Sequence, residues 1–241
     1  MEVENLRKGN EYMYKAVVFD FDGLILDTES VHTTIYQEMF QSYNLEFPFE
    51  EWIQNIGTQS DFSIYDLLEK EIEQIDRAQL KKVNQEKLQT RLNTLKVRPG
   101  VESYLREAQA MNLKVGLASS SNYNWVSDHL DRLGLIHYFE CIKTSDDVAE
   151  VKPNPELYLL AAKELGVEPQ VCIAFEDSAN GSLAAKRAGL TCVIVPNETT
   201  IHLTFPEVEY RLDSMADCSL GDLIGRLTTN SGANIGWENE Y

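Results

Sequence analysis

Asp20 and Asp22, one residue apart and followed at once by Gly23, are the side chains in this sequence best placed to do chemistry. They close the run Tyr14-Lys15-Ala16-Val17-Val18-Phe19, whose β-branched and aromatic content reads as a buried parallel strand. In open α/β sheets ligands bind just beyond the carboxyl ends of the strands, so such a strand delivers both carboxylates to a reaction centre. Residues two apart share a strand face, yet a strand end has to curl to aim both acids at one point. Gly23 supplies the backbone freedom for that turn. Alone, an Asp-x-Asp pair reads better as a solvated turn. An EF-hand calcium loop fits poorly, because its glycine stands at the sixth loop position and a helix precedes it.

Three further segments end in polar groups. Leu113 to Ala118 runs into Ser119-Ser120-Ser121, the stretch after Thr144 leads to Val151-Lys152-Pro153-Asn154-Pro155, and Val171 to Phe175 runs into Glu176-Asp177-Ser178, followed by Gly181. Each alone reads as a helix cap, a turn or a solvated lysine. On strands of one parallel sheet, however, they converge at one edge with Asp20 and Asp22.

The elements that position them alternate. After Arg98-Pro99-Gly100 the pattern predicts helix over Val101 to Met111, strand over Leu113 to Ala118, helix over Tyr123 to Leu133 and a short strand over Cys141 to Thr144. Helix over Pro155 to Leu165, strand over Val171 to Phe175, helix over Ser178 to Ala188 and strand over Cys192 to Val195 follow. This is the pattern of an α/β fold: a doubly wound, right-handed parallel sheet with a Rossmann-like core. Between Thr28 and Arg98 the rhythm is helical, with stripes at Ile35, Met39 and Tyr43, at Ile64, Leu67, Leu68, Ile72 and Ile75, and at Leu80, Val83, Leu88, Leu92 and Leu95. A helical bundle is therefore inserted after the first strand, beside the loop that carries the acids, where it can serve as a lid. The expected division is 13–28 plus 97–227 for the α/β core and 29–96 for the helical cap, with 1–12 and 228–241 as loose tails.

The 241 residues carry 21 basic and 39 acidic side chains, a net charge of −18, which repels nucleic acid and anionic membrane. An anionic substrate then has to be captured locally rather than steered by the global field. The sequence has no apolar run of membrane-spanning length and its N-terminus has no signal-like apolar core, and its four cysteines lack metal-site spacing, so a cytoplasmic location is expected. A monomer is the default.

Asp20-Phe21-Asp22-Gly23-Leu24-Ile25-Leu26-Asp27-Thr28, Ser119, Lys152-Pro153-Asn154-Pro155 and Glu176-Asp177-Ser178-Ala179-Asn180-Gly181 together resemble the four-part signature of the haloacid dehalogenase-like hydrolases. The resemblance is to the capped branch that contains β-phosphoglucomutase and sugar-phosphate phosphatases, and it covers roughly residues 14 to 226. It implies that Asp20 attacks phosphorus to form an aspartyl-phosphate and that Asp22 protonates the leaving oxygen and then activates water. It implies Mg²⁺ held by Asp20, the Asp22 backbone carbonyl and Asp177, with Glu176 supporting through water. Ser119 would donate to a phosphoryl oxygen with Ser120 beside it, and Lys152 would supply positive charge to phosphate and nucleophile. The implied activity is a Mg²⁺-dependent phosphatase acting on a small phosphorylated metabolite, plausibly a sugar phosphate.

Single residues sort the neighbouring chemistries. The dehalogenases of this superfamily lack the second acid and the metal, and the phosphonate-cleaving members lack an aspartate at the Asp22 position, so neither fits. A β-phosphoglucomutase-type isomerase is the alternative, but Gln59 and Asn55 stand where its cap loop carries cations, and Asn122 where it has a lysine. A bisphosphate intermediate needs two cationic phosphate sites. Gly57, Thr58 and Gln59 are the expected lid residues facing substrate, and His32 matches a histidine position of the mutases. A non-catalytic binder that kept the fold is the third reading, at odds with a complete set of site residues.

Overall fold

The computed structural model describes residues 14–57 and 62–230. Thr58 and Gln59, two of the three expected lid residues, lie outside the described residues, as do residues 1–12.

Six parallel strands form one sheet in the order β3-β2-β1-β4-β5-β6, with β1 Ala16–Phe19, β2 Lys114–Ala118, β3 Cys141–Lys143, β4 Cys172–Glu176, β5 Thr191–Ile194 and β6 Tyr210–Arg211. β1 is fully buried and central, pairing with β2 on one side and β4 on the other. Its alternation explains the two layers. Val17 and Phe19 enter a core with α5 (Val101–Ala110), α6 (Tyr123–Leu133) and α9 (Leu220–Asn230). Ala16 and Val18 enter the other, with α7 (Glu156–Leu165) and α8 (Ala179–Ala188). Small side chains dominate that second face, which lets α7 and α8 lie close to the sheet. Phe19 stacks on Phe175 with ring centroids 5.0 Å apart, locking β1 to β4 directly beneath the acid-bearing ends.

Among the described residues four helices come between β1 and α5: α1 Thr28–Ser42, α2 Phe49–Ile53, α3 Ile64–Glu71 and α4 Arg77–Thr94. They have a separate core of Met39, Phe40, Ile64, Tyr65 and Leu68. The sequence stripes overstate two of them. α3 stops at Glu71, leaving Ile72 and Ile75 half-buried in the connection, and α4 turns only Asn84 and Leu92 fully inward. α2 is too short to show a helical period. α9 continues to Asn230, past the expected end of the core at residue 227.

Chain exit and re-entry lie side by side. Leu26 bridges to Val97, and the Arg98 amide donates to the Ile25 carbonyl. The Arg98 guanidinium then donates to three backbone carbonyls, those of Gly23 (2.6 Å), Val195 (2.9 Å) and Pro196 (2.6 Å). One side chain thus ties the loop carrying Asp22 to the loop after β5. Charge-assisted hydrogen bonds contribute about 1.5–3 kcal/mol each, and buried carbonyls left unpaired are costly. Arg98→Met is expected to lower the unfolding free energy by about 2–4 kcal/mol in urea denaturation; a loss below about 0.5 kcal/mol would show that the clamp contributes no stability.

Candidate active site

The carboxyl ends of β1, β2 and β4 place Asp20, Ser119 and the Glu176-Asp177 pair at one sheet edge, and all four are buried. The loop before α7 adds Lys152, whose side chain is 1% exposed. Its ammonium donates to Asp20 Oδ1 (2.5 Å), Glu176 Oε1 (2.7 Å) and the Ala118 carbonyl (2.7 Å), and it lies 4.9 Å from the centre of the Tyr158 ring. Tyr158 donates its hydroxyl to the same Glu176 oxygen (2.5 Å).

The third acid is oriented differently. Asn197 donates its side-chain amide to Asp177 Oδ2 (2.8 Å) and to the Gly23 carbonyl (3.2 Å), while its own oxygen accepts from the backbone amides of Thr199 and Thr200. Those two acceptances fix which end of the amide faces Asp177. Asp177 Oδ1 is left buried with no hydrogen-bond partner among the described residues. Carboxylate oxygens of Asp20, Glu176 and Asp177 all lie within 4.8 Å of one another. Gly23, at φ +85°, passes so close that a Cβ there would sit 2.1 Å from Asp177 Oδ2.

Electrostatics of this cluster are unbalanced. Burial, aided by Asp20 and Glu176, pushes the Asp177 carboxyl well above the ordinary range. Burial likewise raises Asp20, to about 8, against the pull of Lys152. Burial opposes the charge on Lys152, but Asp20 and Glu176 outweigh it and hold the ammonium firmly protonated. One lysine cannot neutralise three buried acids, and one of the carboxylate oxygens, Asp177 Oδ1, has no hydrogen-bond partner among the described residues. All-oxygen donors of this kind suit a hard divalent cation, so the residues present fit a Mg²⁺ site.

Asp22 stands apart from the three clustered acids. Its Oδ1 accepts from Thr28 Oγ1 (2.8 Å) and Trp125 Nε1 (2.9 Å), and its Oδ2 from Ser121 Oγ (2.5 Å). Ser119 Oγ accepts from the Ser121 amide (3.0 Å), which leaves its own proton for another acceptor. Ser120 instead donates to the Gly57 carbonyl (3.2 Å), and Asn180 reaches the neighbouring Ile56 carbonyl (3.0 Å). The Gly57 backbone lies flat on Ser178, where a Cβ would meet the serine hydroxyl at 2.4 Å.

A cleft of about 440 Å³ opens between this edge and the helical insertion, walled by Asp20, Asp22, Ser119, Ser120 and Trp125 on one side and by Glu29, His32, Trp52, Asn55 and Gly57 on the other. His32 donates Nδ1 to the Thr28 carbonyl (3.0 Å), and burial holds the ring below its ordinary pKa.

Several residues of the site escape sequence reasoning. Tyr158 and Trp125 look like core aromatics on helices, and Glu29 like an ordinary first-turn acid. Asn197 was within reach, since it follows a strand end just as Asp20, Ser119 and Asp177 do.

Comparisons with known proteins agree with this geometry. The family model for haloacid dehalogenase-like hydrolases matches residues 17–195. "Putative phosphatase YhcW" of Bacillus subtilis is 50% identical over 220 residues, covering 91% of this chain and all of the relative. The "Phosphorylated carbohydrates phosphatase" of Thermotoga maritima is 33% identical over 177 residues, covering 73% of this chain and 82% of the relative. Among solved structures, CbbY from Rhodobacter sphaeroides in complex with phosphate superposes with a TM-score of 0.66 at 27% identity, covering 87% of this chain and 99% of that one. The chain belongs to the haloacid dehalogenase-like hydrolase family, whose members are generally Mg²⁺-dependent.

Glu29 offers a test of the local field. Burial, then the charges of Asp22, Asp20 and Asp27, raise it to about 8 from 4.5. The folded state therefore keeps a proton that the unfolded chain has released, so stability falls as pH rises from about 4.5 through about 8. With EDTA present, the melting temperature of the wild type should drop more steeply between pH 5.5 and 8.5 than that of Glu29→Gln. Parallel profiles would contradict this placement.

Proposed function

We propose that the chain is a Mg²⁺-dependent phosphatase that hydrolyses a small phosphorylated metabolite, a sugar phosphate in class, through an aspartyl-phosphate at Asp20. The observation that carries this reading is a cluster of three buried carboxyls, Asp20, Glu176 and Asp177, within 4.8 Å of one another, in which Asp177 Oδ1 has no hydrogen-bond partner among the described residues and Lys152 holds Asp20 at the wall of a cleft. Asp20, the Asp22 backbone carbonyl and Asp177 would hold the ion, with Glu176 behind them; when bound, it screens the repulsion between carboxylate and phosphate and polarises the phosphoryl group.

The other residues divide the work. Lys152 fixes Asp20 and neutralises part of the charge that gathers on phosphate during attack. Ser119, its lone pair already engaged by the Ser121 amide, donates its proton to a phosphoryl oxygen. Asp22, held at the cleft wall by Thr28, Ser121 and Trp125, protonates the leaving oxygen and later takes a proton from the attacking water. The four inserted helices act as the cap over the 13–28 plus 97–227 core, shielding the phosphoaspartate from bulk water. The cleft volume suits a sugar phosphate. No helix among the described residues is long and apolar enough to cross a membrane; the reading places the enzyme in the cytoplasm, as a monomer.

Purified protein with Mg²⁺ should release phosphate from p-nitrophenyl phosphate and from a panel of sugar phosphates. EDTA should abolish turnover, and Asp20→Asn should lower kcat roughly 10⁴-fold or more. Asp20→Asn retaining activity would overturn the mechanism. Conversion of hexose 1-phosphate to 6-phosphate without phosphate release would instead establish a mutase.

A further inference from the structure

Asn84 breaks the pattern of the helix that carries it. α4 turns two side chains fully inward, and one of them is this amide, 6% exposed, at a position where the insertion core calls for an apolar residue. Its nitrogen donates to the Tyr65 hydroxyl (3.1 Å) and to the Met39 sulfur (3.1 Å), the latter a weak acceptor. Among the described residues its oxygen has no hydrogen-bond partner. Whichever way the amide is turned, one polar end remains to be satisfied.

That end has somewhere to reach. A second cavity of about 230 Å³ lies among α1, α3 and α4, with Asn84 in its wall beside Tyr65, Lys81 and Gln85. It adjoins the catalytic cleft, because His32, Tyr36 and Leu88 wall both spaces. The two differ in chemistry. The cleft holds the acids Asp20, Asp22 and Glu29, whereas among the described residues the second cavity has no carboxylate in its wall.

We infer that this second cavity is the subsite for the hydroxylated, uncharged end of the substrate, read by Asn84 together with Gln85; the inference rests on the phosphatase reading. Amides offer donors and acceptors together, which is what a hydroxyl requires of its partner. A second phosphate would need convergent cations or a guanidinium fork. Among the described residues the wall's one lysine, Lys81, is exposed and lies 5.5 Å from the centre of the Tyr65 ring, and no arginine reaches that wall. A substrate hydroxyl would complete the hydrogen bonding of Asn84, and a site built to bond a hydroxyl discriminates strongly against analogues without one.

The test compares kcat and KM for p-nitrophenyl phosphate, which has no hydroxylated tail, with those for fructose 1-phosphate, sorbitol 6-phosphate and fructose 1,6-bisphosphate. In the wild type, kcat/KM should favour a monophosphate polyol over the bisphosphate. Asn84→Leu should cut the ratio of kcat/KM for that polyol to kcat/KM for the aryl phosphate roughly 10-fold, mainly through KM, without lowering the melting temperature. If Asn84→Leu does not fold, Asn84→Ser is read the same way. An unchanged ratio, or an equal fall for both substrate types, would show that Asn84 serves only the bundle and overturn the subsite. So would a preference for the bisphosphate that disappears in Lys81→Met. A wild type that releases phosphate from none of these esters would fail the phosphatase reading itself and take the subsite with it.

Discussion

A single buried ammonium holds this site together. Lys152 donates to a carboxylate from the end of β1, to a carboxylate from the end of β4 and to the last carbonyl of β2. Three neighbouring strands are thereby pinned at one point, and a lysine so deeply buried is tolerable only because it is fully paired. The pairing is incomplete from the side of the acids, since Asp177 brings a third carboxyl that Lys152 does not touch. Protons or a divalent cation have to make up the difference. In the proposed mechanism Asp20 has to be ionised to attack phosphorus, which makes the cation the better answer.

The second constraint is where the helical insertion meets the core. Its two connecting segments lie against each other at Leu26 and Val97, and Arg98 fastens them to the Gly23 and Val195-Pro196 carbonyls. The Asn197 loop touches both parts. Its first residue orients Asp177, while Thr199 bonds to Ser30 and Thr33 on α1, and Thr33 in turn accepts from the Trp52 indole. Ser120 and Asn180 reach the Ile56-Gly57 carbonyls from the opposite side. Any shift of the helices is therefore felt at Ser120 beside Ser119, at Asn180 three residues from Asp177, and at Thr199 two residues from the Asn197 that orients Asp177.

Much of this was legible in the sequence for a simple reason. Strand ends in a parallel sheet share an edge, so a polar residue after each apolar run can be assigned to a common site without knowing distances. Asp20, Ser119, Lys152, Glu176 and Asp177 were reached in that way. Side chains that enter the site from helix interiors were not, because Tyr158 and Trp125 satisfy the helical period whether or not they carry a functional hydrogen bond. The inserted helices read as a bundle, and Met39, Ile64, Leu68 and Leu92 of the apolar stripes are buried, but the inner face of α4 is legible only in part. In α4, Leu80, Val83 and Leu88 suggested an apolar stripe, whereas the residue turned fully inward between them is Asn84. Periodicity counts apolar residues and is blind to a polar one placed on the same face.

The claim that a divalent ion completes a lysine-pinned acid cluster is tested most directly by calorimetric titration of the apo protein with Mg²⁺. The account predicts one ion per chain in the wild type and loss of that binding in Asp177→Asn with the fold intact by circular dichroism. Equal Mg²⁺ affinity in the two proteins would contradict it.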